Sequence, residues 1–450
     1  MVALDQVQAG LWRRILHLAW PAILEMVLHM MVGIVDTAMV GRLGAEELAA
    51  VGLGSRILFS TIFTFAALGT GGAALVARSI GAKDPEGANR IAAQALVLGL
   101  LAGGIVALAG FYLANYIFTW VRVEPQVAIM GRKYLRITML AGVFMLPLFI
   151  ANAVLRGAGN TRAPLVVALI ANGVNIIGDY LLIFGLAGFP ALGVAGAAVA
   201  TALSQVLGCF LTLGILLRGN VDLHLRPHNF FCYDREIMRR ILRLSIPAVL
   251  EESVLTISSL IFIFMVTSLG TVAFAAHQVA NSVESLSFMP GHGFAIATAT
   301  IVGQKLGGQS PAEANDGGQQ GTLMALMAMG AMGLLFFTFP RQLVYLFAPG
   351  EAQVISLGAR AIRIGALEQP CIAATMVLSG ALRGAGETRY PLYVTLLGNW
   401  LVRMPLTYLV IYVWRLSLGA VWIVTVLDWL FRGSLLYRYY RRGKWLTVKA

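Results

Sequence analysis

Charge is scarce in this chain: only 12% of its 450 residues are Asp, Glu, Lys or Arg, against about 25% in soluble domains. That deficit excludes a soluble globular protein. Cysteine is scarcer still. Cys209, Cys232 and Cys371 are the only three, far apart and odd in number, which excludes a disulfide framework and a thiolate metal cluster. No role is assigned to them. His29, His277 and His292 are scattered without metal-ligand spacing and read as hydrogen-bonded packing residues rather than proton relays. No resident metal is expected, beyond a transported Na⁺, and no cofactor. Glycine is abundant, at 49 residues, yet no Gly-Lys-Ser or Gly-Lys-Thr occurs, so ATP is excluded as a driving force. Glycines such as Gly69, Gly71 and Gly72 fit close helix approach instead. Nothing here points to an enzyme.

What fills the chain is apolar sequence: 58% hydrophobic residues and a mean hydropathy of +0.80. Apolar runs long enough to cross a bilayer give about twelve helices, near residues 13–41, 46–78, 91–115, 127–155, 163–186, 191–217, 240–268, 272–304, 317–340, 352–382, 390–413 and 417–439. The fold class is therefore an all-α polytopic membrane protein. The first run starts near Leu11, contains Arg13 and Arg14 and continues for a full span, unlike a cleaved signal peptide. The net charge of +12 sits in the breaks, where membrane topology accounts for it without nucleic acid. Arg13, Arg14, Arg78, Lys83, Arg90, Arg156, Arg162, the segment Arg218 to Arg243, and the tail with Arg438, Arg441, Arg442, Lys444 and Lys449 fall on one side. Both termini are expected in the cytoplasm, with the chain in the cell membrane. Arg132, Lys133 and Arg136 break that rule at the outer start of span four, and Arg360 and Arg363 do so at the start of span ten. Recurrence suggests position-specific structure at the outer rim.

The chain is a duplication. Trp20-Pro21-Ala22-Ile23-Leu24-Glu25 is answered by Ile246-Pro247-Ala248-Val249-Leu250-Glu251, 226 residues later. Leu155-Arg156-Gly157-Ala158-Gly159-Asn160-Thr161-Arg162 is answered by Leu382-Arg383-Gly384-Ala385-Gly386-Glu387-Thr388-Arg389, 227 residues later. Six spans per half make the repeat parallel, with residues 1–217 and 240–450 as two six-helix bundles and 218–239 as a cytoplasmic linker. Such an architecture places a site between bundles and suits alternating access.

The fifth span carries the polar stretch that demands explanation. Asn172, Asn175 and Asp179 fall within a sector of roughly 60° on a helix, so they share a face. An acid at membrane depth is costly and is a functional candidate by default, although a cluster that only glues helices together is the competing reading. Asp36 on span one and Asp179 are each roughly 10 Å from the outer end of their spans, so they can meet. Two carboxylates in a poorly solvated site disfavour double ionisation, and a proton or Na⁺ relieves the repulsion. Asn175 and Thr201 offer neutral oxygens that serve either ion.

These features resemble the multidrug and toxic compound extrusion (MATE) family over essentially the whole chain. The resemblance is carried by Val35-Asp36-Thr37-Ala38-Met39-Val40-Gly41-Arg42-Leu43-Gly44, by the paired Leu-Arg-Gly-Ala-Gly-x-Thr-Arg loops and by Ala275-Ala276-His277-Gln278-Val279-Ala280. It implies an antiporter that extrudes amphipathic, often cationic compounds in exchange for H⁺ or Na⁺. The acid on span one with Asn and Asp on span five is similar to the DinF-like branch, in which the first bundle holds the coupling ion. That implies Asp36, Asn175, Asp179 and Thr201 as ion-coupling residues, with Asn172 on the supporting face. The branch that couples through its second bundle carries a glutamate eight residues after the span-seven proline. Here that position is Leu255.

Other polar and soft residues are candidates for a substrate cavity. Glu25 and His29 share a stripe with Asp36, Met145, Phe288 and Met289 could form an adaptable wall, and Glu284 and Glu368 are further acids. Glu25, however, has a repeat partner in Glu251, which favours capping or loop anchoring. At the positions answering Asn175 and Asp179 the second half carries Val402 and Leu406, so coupling is expected to be asymmetric. Arg403 and Asp428 lie at similar depth and are expected to form a structural ion pair. The partners expected are small organic molecules and the lipid bilayer, with the chain acting as a monomer. The main rival is a flippase of lipid-linked oligosaccharides, whose phosphates would want a cavity lined with Arg or Lys. A channel or non-transporting scaffold is the other, and it is disfavoured by the lack of a duplicated ring of acids.

Overall fold

The computed structural model describes residues 2–121, 123–219, 223–231 and 233–448; Cys232 and Lys449 lie outside them. Among the described residues all regular structure is helical. Ten helices are long and apolar enough to span a bilayer, and two bent pairs bring the number to twelve. The unbent spans are Gly10–Val40, Ala45–Gly81, Pro85–Val121, Arg162–Phe184, Val194–Arg218, Arg235–Thr267, Thr271–Gly307, Pro311–Thr338, Arg389–Val413 and Leu418–Arg441.

Spans four and ten, expected as single rods, are broken. Span four is Pro125–Leu140 followed by Gly142–Gly157, bent by 51°, and span ten is Ala352–Gly365 followed by Gln369–Gly384, bent by 52°. The breaks fall at repeat-equivalent places. Pro147 leaves the Val143 carbonyl without an intrahelical donor in the first, and Pro370 opens the second helix of the other. Span eleven is irregular too, with wider π-helical turns at Gly398–Arg403 and Leu409–Val413 on either side of Pro405.

The Leu-Arg-Gly-Ala-Gly-x-Thr-Arg loops are explained residue by residue. Arg156 donates through Nη1 to both oxygens of Glu25, at 3.0 and 3.2 Å, and Arg383 Nη2 lies 2.8 Å from Glu251 Oε1. A side chain at Gly157 would run into the Ala73 carbonyl, and one at Gly384 into the Ala299 carbonyl. Gly159 and Gly386 sit at φ +95° and +85°, where a Cβ is penalised. Asn160 Oδ1 accepts from Ala163 N at 2.9 Å, and Glu387 Oε1 accepts from Arg389 N and Tyr390 N, each at 3.1 Å. These bonds satisfy the first free N–H groups of spans five and eleven.

The chain forms two compact units, Leu24–Val249, and Met1–Ile23 together with Leu250–Ala450. Their boundaries fall just after Pro21 and Pro247, not in the 218–239 segment expected from the repeat. Packing supplies the reason. Ile15, Leu18 and Ala19 are buried with Phe294, Ala297 and Ile301 of span eight. In the other unit the Ser245 hydroxyl donates to Leu68 O at 2.6 Å and accepts from Gly71 N at 3.2 Å. The opening halves of spans one and seven are thus built into the other repeat's unit. The 218–239 region contains the short helix Pro227–Phe231.

Candidate functional site

Four spans of the Leu24–Val249 unit converge on the polar face of span five. Asp179 is fully buried and Asn175, Asn172 and Thr201 are buried, while Asp36 is half-buried. The side chains of Asp36 and Asp179 adjoin each other. Helix phase makes this possible, since Asp179 is one turn beyond Asn175. Gly178 beside it brings span six close, a Cβ there lying 3.1 Å from Ala200 Cβ.

Tyr134 of span four completes the site, and sequence reading did not single it out. Its hydroxyl is 2.9 Å from Ser55 Oγ of span two and within reach of Thr201. Gly54 leaves room for its ring, because a Cβ at 54 would sit 2.6 Å from Tyr134 Cδ1. An aromatic in a membrane span reads as packing, so only the three-dimensional contact reveals its part.

The site is rich in polar atoms that nothing in the protein satisfies. Asp36 Oδ1, both Asp179 oxygens, both amide atoms of Asn175 and Asn172 Nδ2 are buried without hydrogen-bond partners. Buried polar atoms are otherwise almost always paired. Two carboxylates, an amide oxygen and a hydroxyl form a hard oxygen set, which accepts a proton shared between acids or an alkali cation.

The remaining sequence candidates fall elsewhere. Glu25 is 1% exposed and held by Arg156, an anchor like its repeat partner Glu251, which also accepts from the Thr395 hydroxyl at 3.0 Å. His29 packs its ring against Phe149, centroids 6.3 Å apart. Met145 is fully buried in an apolar core with Leu58, Ile62 and Leu146, which leaves it no cavity to line. Met289 is half-buried. Glu284 and Phe288 lie in the other unit and line a cavity there with Glu368. In that unit Arg403 Nε is 2.8 Å from Asp428 Oδ2, and Arg432 joins them, its Nε 2.8 Å from Asp428 Oδ1. Arg432, one helical turn after Asp428 and well inside the helix Leu418–Arg441, is a further buried basic residue that sequence reading did not single out.

A family model described as MatE matches residues 21–181 and again 247–409, once in each repeat. The Probable multidrug resistance protein NorM of Thermotoga maritima is 30% identical over 436 residues, covering 96% of this chain and 93% of its own. A transporter of the MOP superfamily from Pyrococcus furiosus, described by the reverse polarity of its binding pocket, is 25% identical. It superposes with a TM-score of 0.90 over 98% of this chain and 97% of its own. A multidrug resistance MATE family transporter solved in an outward-facing conformation is 26% identical, with a TM-score of 0.90 over 98% and 97% of the two chains.

Proposed function

Because the chain belongs to the MATE family of multi-pass membrane transporters, we propose that it is a cation-coupled antiporter exporting amphipathic, often cationic organic compounds. Asp36 and Asp179 hold the coupling ion, H⁺ or Na⁺, with Asn175 and Thr201 as neutral ligands, Asn172 as support and Tyr134, held by Ser55, beside them. The observation that carries this reading is the pair of adjoining carboxylates amid buried polar atoms without partners. A bound cation removes the repulsion and satisfies the orphaned oxygens. Its departure restores both costs, so ion loading biases the conformational equilibrium that exposes the site to one face or the other.

The basic breaks between spans support a cytoplasmic location for both termini in the cell membrane. One chain carries the whole ion site, which supports a monomer as the transporting unit. A phosphate-bearing lipid-linked cargo is poorly matched to this site, since its charged groups are acids.

The test is export of a fluorescent organic cation by purified protein in proteoliposomes, under an imposed H⁺ or Na⁺ gradient. Wild type should concentrate the dye against its gradient with one of the two ions. Asp36→Asn and Asp179→Asn should fold and insert yet lose gradient-driven export. Wild-type export by both variants would place the coupling site elsewhere.

A further inference from the structure

The basic residues that break the charge rule at the outer rim share an arrangement that ion coupling leaves unused. In the Leu24–Val249 unit the Arg136 guanidinium lies over the Phe111 ring, 5.1 Å from its centroid. In the other unit Arg363 lies over Phe337 at 5.8 Å. The two pairs are repeat-equivalent, since 337 − 111 = 226 and 363 − 136 = 227. A second cation stands about one turn earlier on each helix, at Lys133 and Arg360, again 227 residues apart. Arg132 is not repeated, its counterpart being Ala359, and its Nε donates to Ala128 O at 2.9 Å.

No carboxylate of the protein neutralises these charges. Among the described residues none of Lys133, Arg136, Arg360 and Arg363 forms an ion pair, and Arg136 Nε is buried without a hydrogen-bond partner. The acids that open the same helices, Glu124 and Glu351, precede the two arginines by roughly 18 Å along the axis. A guanidinium covered on its face by a ring keeps its in-plane N–H groups for a bidentate oxyanion.

Depth identifies that oxyanion. Arg136 precedes the loop residue Arg156, and Arg363 precedes Arg383, by the same interval, since 156 − 136 = 20 and 383 − 363 = 20. That is roughly 30 Å of helix, and the bends, which lie near the arginine ends, shorten it only slightly. A hydrocarbon core is about 30 Å thick. With Arg156 and Arg383 at the boundary on the basic-loop side, Arg136 and Arg363 therefore lie at the opposite headgroup layer. Towards the bilayer centre each ring is followed by bare apolar surface: Ile105 and Leu108 are 69% and 60% exposed, Met327 and Leu334 49% and 65%. A phosphate at the arginine and an acyl chain along those side chains describe one phospholipid.

We propose that each unit binds an anionic phospholipid on the outer arm of its bent span. The headgroup sits on Lys133 and Arg136, backed by Phe111, in one unit, and on Arg360 and Arg363, backed by Phe337, in the other. Two cations per site favour a headgroup of net negative charge over a zwitterionic one. Neither site shares a residue with the Asp36 and Asp179 face, so the inference stands apart from the ion-coupling reading.

The test is a titration of the delipidated full chain in detergent with phosphatidylglycerol, the bound lipids being counted by native mass spectrometry. Lys133→Gln with Arg136→Gln should remove one tightly held lipid and Arg360→Gln with Arg363→Gln another, each through an affinity loss of about tenfold or more. Phe111→Leu with Phe337→Leu leaves every charge in place and should weaken both sites. Should the arginine variants fail to fold, Lys133→Gln with Arg360→Gln, both at exposed positions, should still weaken each site by about fivefold. Wild-type retention of phosphatidylglycerol by all of these variants overturns the proposal. So does equal retention of zwitterionic phosphatidylcholine by the wild type, or displacement of the two lipids by inorganic phosphate, which would mark the sites as made for a soluble anion.

Discussion

Asp428 offers the sharpest test of how this protein keeps charge inside a membrane. Its side chain is fully buried and serves two guanidinium groups, Arg403 at 2.8 Å and Arg432 at 2.8 and 2.5 Å. The trio carries one net positive charge. Asp428→Asn preserves its shape but leaves the buried Arg432 and the half-buried Arg403 facing a neutral amide, at a cost of about 3–5 kcal/mol. Arg403→Met instead leaves a neutral Asp428 and Arg432 pair. It forfeits one charge-assisted contact, about 1.5–3 kcal/mol, together with stacking of the guanidinium over Phe262 and Trp429 at 5.8 and 5.6 Å. Asp428→Asn should therefore be clearly the more damaging change. The double variant should not recover, because Arg432 is still unpaired; adding Arg432→Met should restore part of the loss. The fraction of purified protein surviving a heating series as a single gel-filtration peak ranks the four variants. Recovery in the double variant to wild-type level would mean that Arg403 and Asp428 form a simple pair, and the three-body account would be wrong.

Tyr134→Phe removes the hydroxyl that meets Ser55 beside the polar face, so it should lower gradient-driven export severalfold while leaving thermal stability within about 1–2 kcal/mol of wild type; an export rate equal to wild type would remove Tyr134 from the site. Asn160→Ala and Glu387→Ala each delete a cap from a span's first turn and should cost about 0.5–2 kcal/mol, read as faster hydrogen exchange confined to the starts of spans five and eleven. Glu25→Gln and Glu251→Gln should destabilise in parallel, since each leaves a guanidinium without its carboxylate, and the reversed pair Glu25→Arg with Arg156→Glu should recover more of the loss than either single change. Equal damage in the reversed pair and the single variants would argue that packing, not charge, anchors the loop.

Much of the fold was legible because a bilayer imposes a plain code: long apolar runs, polar breaks and a repeat with an offset of 226–227 residues. The break at Ala141 was not, because the apolar run Met139-Leu140-Ala141-Gly142-Val143-Phe144 passes straight through it, and the one at Ala366–Glu368 is marked only by Pro370 just beyond it. The unit boundaries were hidden for a related reason. Nothing in the composition of Gly10–Val40 tells that Ile15 and Ala19 pack with Phe294. Asp36, Asn175 and Asp179 were readable because polar groups are conspicuous in hydrocarbon. Ser55, Tyr134 and Arg432 were not: a serine and an aromatic are ordinary residues for a membrane helix, and Arg432 is followed by the basic tail Arg438 to Arg442, into which it reads. Met145 illustrates the converse error, a flexible apolar side chain credited with a cavity wall and found in a closed core.

The two bent spans carry a consequence for how the halves diverged. Duplication supplied the same break twice, yet Glu368 occupies it in span ten and Ala141 in span four. The trade runs the other way at Asp36, answered by Phe262 on the cavity wall, and Glu284 is answered by Leu58, fully buried among apolar neighbours. Each half carries acids at positions where its sister is apolar. A protein assembled from two copies of the first half would own two aspartate pairs and no aromatic chamber, and one assembled from two copies of the second would own two chambers and no aspartate pair.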